Sequence, residues 1–140
     1  MPGVKIFRGH NGDRDNRGRR ADGTATAWPL RDNGHEVRLV GTHLDAEIIK
    51  SCKESGFHPR LQRALPEGVR SFFIEEIGEA LKSAEIILSG VNSYGVRWIG
   101  RTLVPYVRPE HTIIAITKGL EATDEGSPMN EGEKGLSPLF

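Results

Sequence analysis

The sequence lacks the features that would let it work through disulfides, bulk charge or lipid. It has one cysteine, Cys52, which excludes an internal disulfide framework, and its five histidines show no zinc-ligand spacing, so no structural metal is expected. Nineteen basic side chains cancel nineteen acidic ones, leaving no global field to attract nucleic acid or an anionic membrane; an anionic ligand must be held by a local site. No apolar run approaches the roughly 18 residues of a membrane span, and the charged N-terminus lacks the apolar stretch of a signal peptide. These absences point to a cytoplasmic protein in a reducing setting, without nucleic-acid or membrane partners. The 140 residues suffice for one domain that buries roughly two-thirds of its unfolded surface.

What is present is an alternation of strand and helix signals. Val4 to Phe7 is a short strand candidate. From Gly23, the residues Thr24, Ala25, Ala27, Trp28 and Leu30 form an apolar helical stripe that stops at Asn33-Gly34, with Pro29 expected to kink it. Glu36 to Val40 alternates as a strand, and Asp45 opens a helix as its N-cap. Residues 55–69, with Pro59, Pro66, Gly56 and Gly68, read as a long connection with little regular structure. Val69 to Ile74 is a third strand, Ile77 to Ala84 a short helix, Glu85 to Val91 a fourth strand and Gly95 to Val104 a further helix. The last strand, Thr112 to Thr117, is apolar at consecutive positions and ends at Lys118-Gly119, which suits a strand covered on both faces that delivers a charge to the sheet edge. The pattern predicts an α/β fold, a doubly wound parallel sheet of about five strands. Ligands of such sheets sit beyond the carboxyl ends of the strands.

A dinucleotide site needs a glycine-rich turn between the first strand and first helix, where backbone amides and the helix N-terminus meet the pyrophosphate. The best frame is Gly18-Arg19-Arg20-Ala21-Asp22-Gly23, which keeps the outer glycines but puts Arg20 at the middle one. Residues 8–22 hold no apolar periodicity and read as an atypical, poorly packed loop. Their arginines raise an RNA-binding arm as one alternative, weakened by the interleaved Asp13, Asp15 and Asp22 and by the lack of aromatic residues for stacking.

The stretch from Gly23 to about Gly126 resembles the N-terminal domain of NAD(P)-dependent glycerol-3-phosphate dehydrogenase. The resemblance is carried by Gly23 to Leu30, Asp32 to Thr42, His58-Pro59-Arg60-Leu61, Leu88 to Ser93 and Ala115 to Glu121, taken in order and spacing together. It implies a Rossmann-like domain over residues 1–126 and an oxidoreductase that interconverts dihydroxyacetone phosphate and glycerol 3-phosphate by hydride transfer with NAD or NADP; the tail over 127–140 reads as disordered from its composition. It further implies that Lys118 is a catalytic residue near both nicotinamide and a phosphorylated triose substrate. Gly18, Gly23, Thr24, Thr42, Asn92 and Lys118 are implied to bind the cofactor. No acid stands at Thr42 or His43, where the adenosine ribose of NAD is read, so the choice between NAD and NADP stays open.

The resemblance fails before Gly23 and after Gly126. The family's C-terminal helical domain, with its second catalytic lysine, has no counterpart in the 140 residues, so the exposed surface left behind invites self-association. Two further readings therefore stand beside the dehydrogenase: a nucleotide-binding module or gene fragment without catalysis, and a Rossmann dehydrogenase of another substrate, which fold alone does not separate.

Overall fold

The computed structural model describes residues 3–8, 23–91 and 95–116. Five parallel strands lie side by side: β1 (Gly3–Arg8), β2 (Glu36–Gly41), β5 (Arg70–Phe72), β6 (Ala84–Gly90) and β7 (Thr112–Ala115), in the order β5-β2-β1-β6-β7. The expected doubly wound sheet is thus present. The chain builds outwards from β1 in one direction, then returns across it to build in the other.

Each face of the sheet is covered by its own helices. Val37, Leu39 and Leu88 pack with Ala27 of α1 (Ala27–Asp32) and Ile49 of α2 (Ala46–Ser55). Val40, Ile87 and Val91 pack on the other side with Ile77 and Ala80 of α3 (Ile77–Ala80) and with Ile99 and Leu103 of α4 (Val96–Leu103). Successive strand residues face opposite ways, so β2 must be apolar on both faces except where a polar group finds partners. Arg38 is that exception: buried, it donates to the carbonyl oxygens of Glu79, Ala80 and Lys82 at 3.1, 3.0 and 2.8 Å, satisfying carbonyls at the C-terminal end of α3. Its Nε also donates to Glu36 at 2.7 Å.

The local signals act as follows. The helix after β1 begins as a 3-10 turn, Gly23–Thr26, before α1 takes over at Ala27. Pro29 therefore falls in the first α turn, where its missing N–H costs little. The stop at Asn33-Gly34 is a Schellman motif: Gly34 (φ 80°) and His35 donate their N–H groups to the Arg31 and Leu30 carbonyls, at 2.9 and 3.0 Å. The third strand is shorter than expected, because a 3-10 turn, Ile74–Glu76, takes its last residues into α3. The stretch expected to lack regular structure holds a small antiparallel hairpin, β3 (Phe57–His58) with β4 (Arg63–Ala64). It is tied down by the buried His58, whose Nδ1 accepts the Leu61 N–H at 3.1 Å, and by Arg63, which stacks over Trp28 of α1 at 4.5 Å.

The largest departure concerns β7. The run at 112–116 was expected to be covered on both faces, yet β7 is the outermost strand and Ile114 and Ile116 are 42% and 41% exposed. Ile113 does pack against the core beside α4, but among the described residues no helix covers the opposite face at this edge. Residues 9–22, most of the expected atypical loop, and the expected tail at 127–140 lie outside the described residues.

Candidate functional site

The strand order reverses between β1 and β6, where connections on either side leave in opposite directions and open a crevice at the carboxyl ends. The 3-10 turn at 23–26 touches both of these strands. Gly23 and Thr24 are buried in it, and the Thr26 hydroxyl closes it by donating to the Gly23 carbonyl. The positive end of the helix that continues through Asp32 thus faces the switch point.

Gly90 ends β6 at the same edge with the buried Val91 following it, and β7 runs in register with β6, the Ile116 N–H donating to the Ser89 carbonyl at 3.0 Å. The Ser89 hydroxyl is buried and has no hydrogen-bond partner among the described residues. Of the site residues expected from the sequence, Gly23, Thr24 and Thr42 are placed at strand or helix ends along this edge. Gly18, Asn92 and Lys118 lie outside the described residues, Lys118 being two positions beyond Ile116 in sequence.

The turn after β2 carries the most specific geometry. Thr42 follows the last strand residue and is buried. Asp45, also buried, accepts from the Thr42 backbone N–H at 3.1 Å and from its hydroxyl at 2.6 Å, while the Asp45 N–H donates to the Thr42 carbonyl at 2.9 Å. Asp45 occupies the N-cap position of α2, but its side chain makes no capping bond; it turns back to fasten the strand end. The sequence reading of an ordinary N-cap is corrected on this point. Gly41 is required here, because a Cβ would run into the side chain of Ile49 and come within 3.2 Å of Asp45 Cβ.

His43 is exposed at the tip of the turn and meets Trp98 of α4 edge to face, the ring centroids 5.0 Å apart at 63°. Sequence reasoning missed this pair, which joins the end of β2 to the helix following β6. The Thr42–Asp45 clasp was legible in principle, since Thr-x-x-Asp at a strand end is a turn able to close on itself. No group of three His, Cys, Asp or Glu side chains suited to a metal occurs among the described residues. Nor is any helix among them long and apolar enough to cross a membrane.

A dinucleotide fits what is described. A buried glycine opens a helix over the switch point, an orphaned hydroxyl lies near the end of β6, and an exposed histidine resting on the half-buried Trp98 flanks the end of β2.

Comparison with known proteins agrees with this geometry. Residues 18–131 match a family model described as the NAD-dependent glycerol-3-phosphate dehydrogenase N-terminus. The NADP(+)-dependent glycerol-3-phosphate dehydrogenase of Archaeoglobus fulgidus is 42% identical over 100 residues, spanning 71% of this chain and 29% of that protein. The glycerol-3-phosphate dehydrogenase [NAD(P)+] of Shouchella clausii is 34% identical over 101 residues, 71% of this chain and 28% of that protein. Among solved structures, glycerol-3-phosphate dehydrogenase from Coxiella burnetii superimposes with a TM-score of 0.68 over 85% of this chain and 33% of that one, at 21% identity. D-mandelate dehydrogenase, solved with NADH, shares the fold at a TM-score of 0.59 and 15% identity. The chain thus spans under a third of the length of these two curated relatives.

Proposed function

From the premise that the chain belongs to the family of NAD-dependent glycerol-3-phosphate dehydrogenase N-terminal domains, we propose that it is the cofactor-holding part of a glycerol-3-phosphate dehydrogenase, taking NAD or NADP. The observation that carries this is the helix opening at Gly23 against both β1 and β6, at the point where the sheet order reverses. That is where open α/β sheets hold a pyrophosphate, on backbone amides at the positive end of a helix. Residues 1–126 form the cofactor domain. Gly23 and Thr24 face the pyrophosphate and Thr42 stands at the adenosine end; Gly18 and Asn92 join them as cofactor residues on the sequence alone.

The nicotinamide, when bound, supplies the hydride for reduction of a triose phosphate carbonyl. The part assigned to this chain is positional and electrostatic. Lys118, two positions beyond Ile116 in sequence, is the residue given the part of attracting the phosphorylated substrate and favouring the negative charge that develops on the carbonyl oxygen. Catalysis by the whole protein needs the remaining length that the relatives possess and this chain does not span, because loss of positioning alone can remove several kcal/mol of barrier lowering. The working environment is cytoplasmic. The exposed Ile114 and Ile116 at β7 are a surface for the further length that the relatives possess or for self-association.

Amide hydrogen exchange with and without NADPH tests the placement. Protection is expected at residues 23–26 and 41–44. Protection confined to other segments would contradict it.

A further inference from the structure

We propose that the turn after β2 selects the 2′-phosphorylated dinucleotide, with His43, seated on Trp98, as the group that receives the 2′-phosphate. This rests on the cofactor reading above and adds the specificity within it. In Rossmann folds the adenosine ribose is read at the end of the second strand, about 20 residues after the glycine turn, by an acid for NAD or by a cationic or donor group for the phosphate of NADP.

Here an acid is close in sequence but withheld. Asp45 is fully buried, and one of its carboxylate oxygens holds the Thr42 N–H at 3.1 Å and the Thr42 hydroxyl at 2.6 Å. The same hydroxyl accepts the Leu44 N–H at 3.3 Å. Thr42 is therefore occupied on its amide and hydroxyl, and its carbonyl closes the turn. The next carboxylate, Glu47, lies inside the first turn of α2, past the strand end.

The turn shows His43 and the apolar Leu44 to solvent; of the two only His43 can donate to a phosphate oxygen, through its imidazole N–H, and its ring orientation is set by the Trp98 ring at 5.0 Å. Among the described residues, the turn at 42–45 offers a ribose diol no exposed carboxylate to accept its hydroxyls, the exposed Glu47 standing on α2, whereas a 2′-phosphate meets a donor there. The aromatic pair also offers a flat apolar border to the adenine beside it.

The probes that isolate this turn are 2′,5′-ADP and 5′-AMP, which differ by the 2′-phosphate and make no demand on the nicotinamide half. Calorimetric titration of the full 140-residue chain at low salt is expected to give a dissociation constant about tenfold lower for 2′,5′-ADP. In His43→Ala the two constants should converge to within about twofold, and in His43→Asp the order should reverse, since a carboxylate repels the phosphate and accepts from the diol. His43 is exposed, so both variants fold as the parent does, which circular dichroism checks. Equal affinities in the parent chain, tighter binding of 5′-AMP, no binding of 2′,5′-ADP, or a preference that survives in His43→Ala would each overturn the proposal. Binding of 2′,5′-ADP with failure of NADPH would uphold it while counting against the pyrophosphate cradle at Gly23.

Discussion

Asp45 holds Thr42 by two hydrogen bonds to one carboxylate oxygen, 3.1 Å from the backbone N–H and 2.6 Å from the hydroxyl, at the point where β2 gives way to α2. Both residues are buried, so the clasp fixes the strand end that faces the adenosine half of the proposed cofactor. Asp45→Ala leaves two buried donors without their acceptor and should lower unfolding free energy by about 2–3 kcal/mol. Asp45→Asn, which keeps an acceptor oxygen, should lose less. Urea denaturation measures both; an Asp45→Ala chain as stable as the parent would show that the clasp contributes nothing.

Gly41 is needed for space, not for backbone conformation. A Cβ there collides with Ile49, which is fully buried in α2 and has nowhere to retreat. Gly41→Ala should destabilise by about 1–3 kcal/mol, as overpacked cores do. Trimming the obstacle in Gly41→Ala/Ile49→Ala should recover part of that loss relative to the sum of the single changes, a coupling that a thermodynamic cycle resolves. Additive losses would refute the contact.

Acid should weaken the junction between α2 and α3. The Lys53 ammonium, hydrogen-bonded at 2.6 Å, holds the Glu76 carboxyl below its ordinary value of 4.5, and the Phe73 N–H adds to this at 2.8 Å. A carboxyl lowered in the folded state contributes stability that is present above the unfolded value and is lost as pH falls through the folded one. Glu76 is 41% exposed, so solvent screens the effect and it is small. Unfolding free energy measured from neutral pH to below the ordinary glutamate range should fall less steeply in Glu76→Gln than in the parent. Parallel curves would remove Glu76 from the account.

The role proposed for Lys118 rests on its Thr-Lys-Gly sequence motif. In a protein that carries this domain together with the rest of the relatives' length, Lys118→Ala should reduce kcat on the order of a hundredfold, as expected when one charge-stabilising group is lost. Unchanged kinetics would sink the role.

The layered fold was readable because its signals are local. Asn33-Gly34 ends α1 by a motif within one turn, and the consecutive apolar residues of β6 report a strand with both faces buried. The same kind of run in β7 misled, because Ile114 is exposed and only the neighbours a strand acquires from elsewhere in the chain decide whether an apolar face is covered. The β3–β4 hairpin has two residues in each strand, too few for an alternation to show. Arg38 sits in an alternating pattern that suggests a wet face, yet it is buried on carbonyls of residues 79–82. In the site, Gly23 was legible as the opening of a helix, whereas the contact of His43 with Trp98 depends on the loop after β2 meeting α4, which no local pattern encodes.

The central claim, that this chain holds a nicotinamide dinucleotide at the β1–β6 switch point, is tested most directly by calorimetric titration of the purified chain with NADPH and with NADH at low salt, with circular dichroism confirming the fold. The account predicts dissociation constants for NADPH in the micromolar range and weaker binding of NADH. A folded chain that binds neither would contradict it, leaving a Rossmann scaffold without its cofactor.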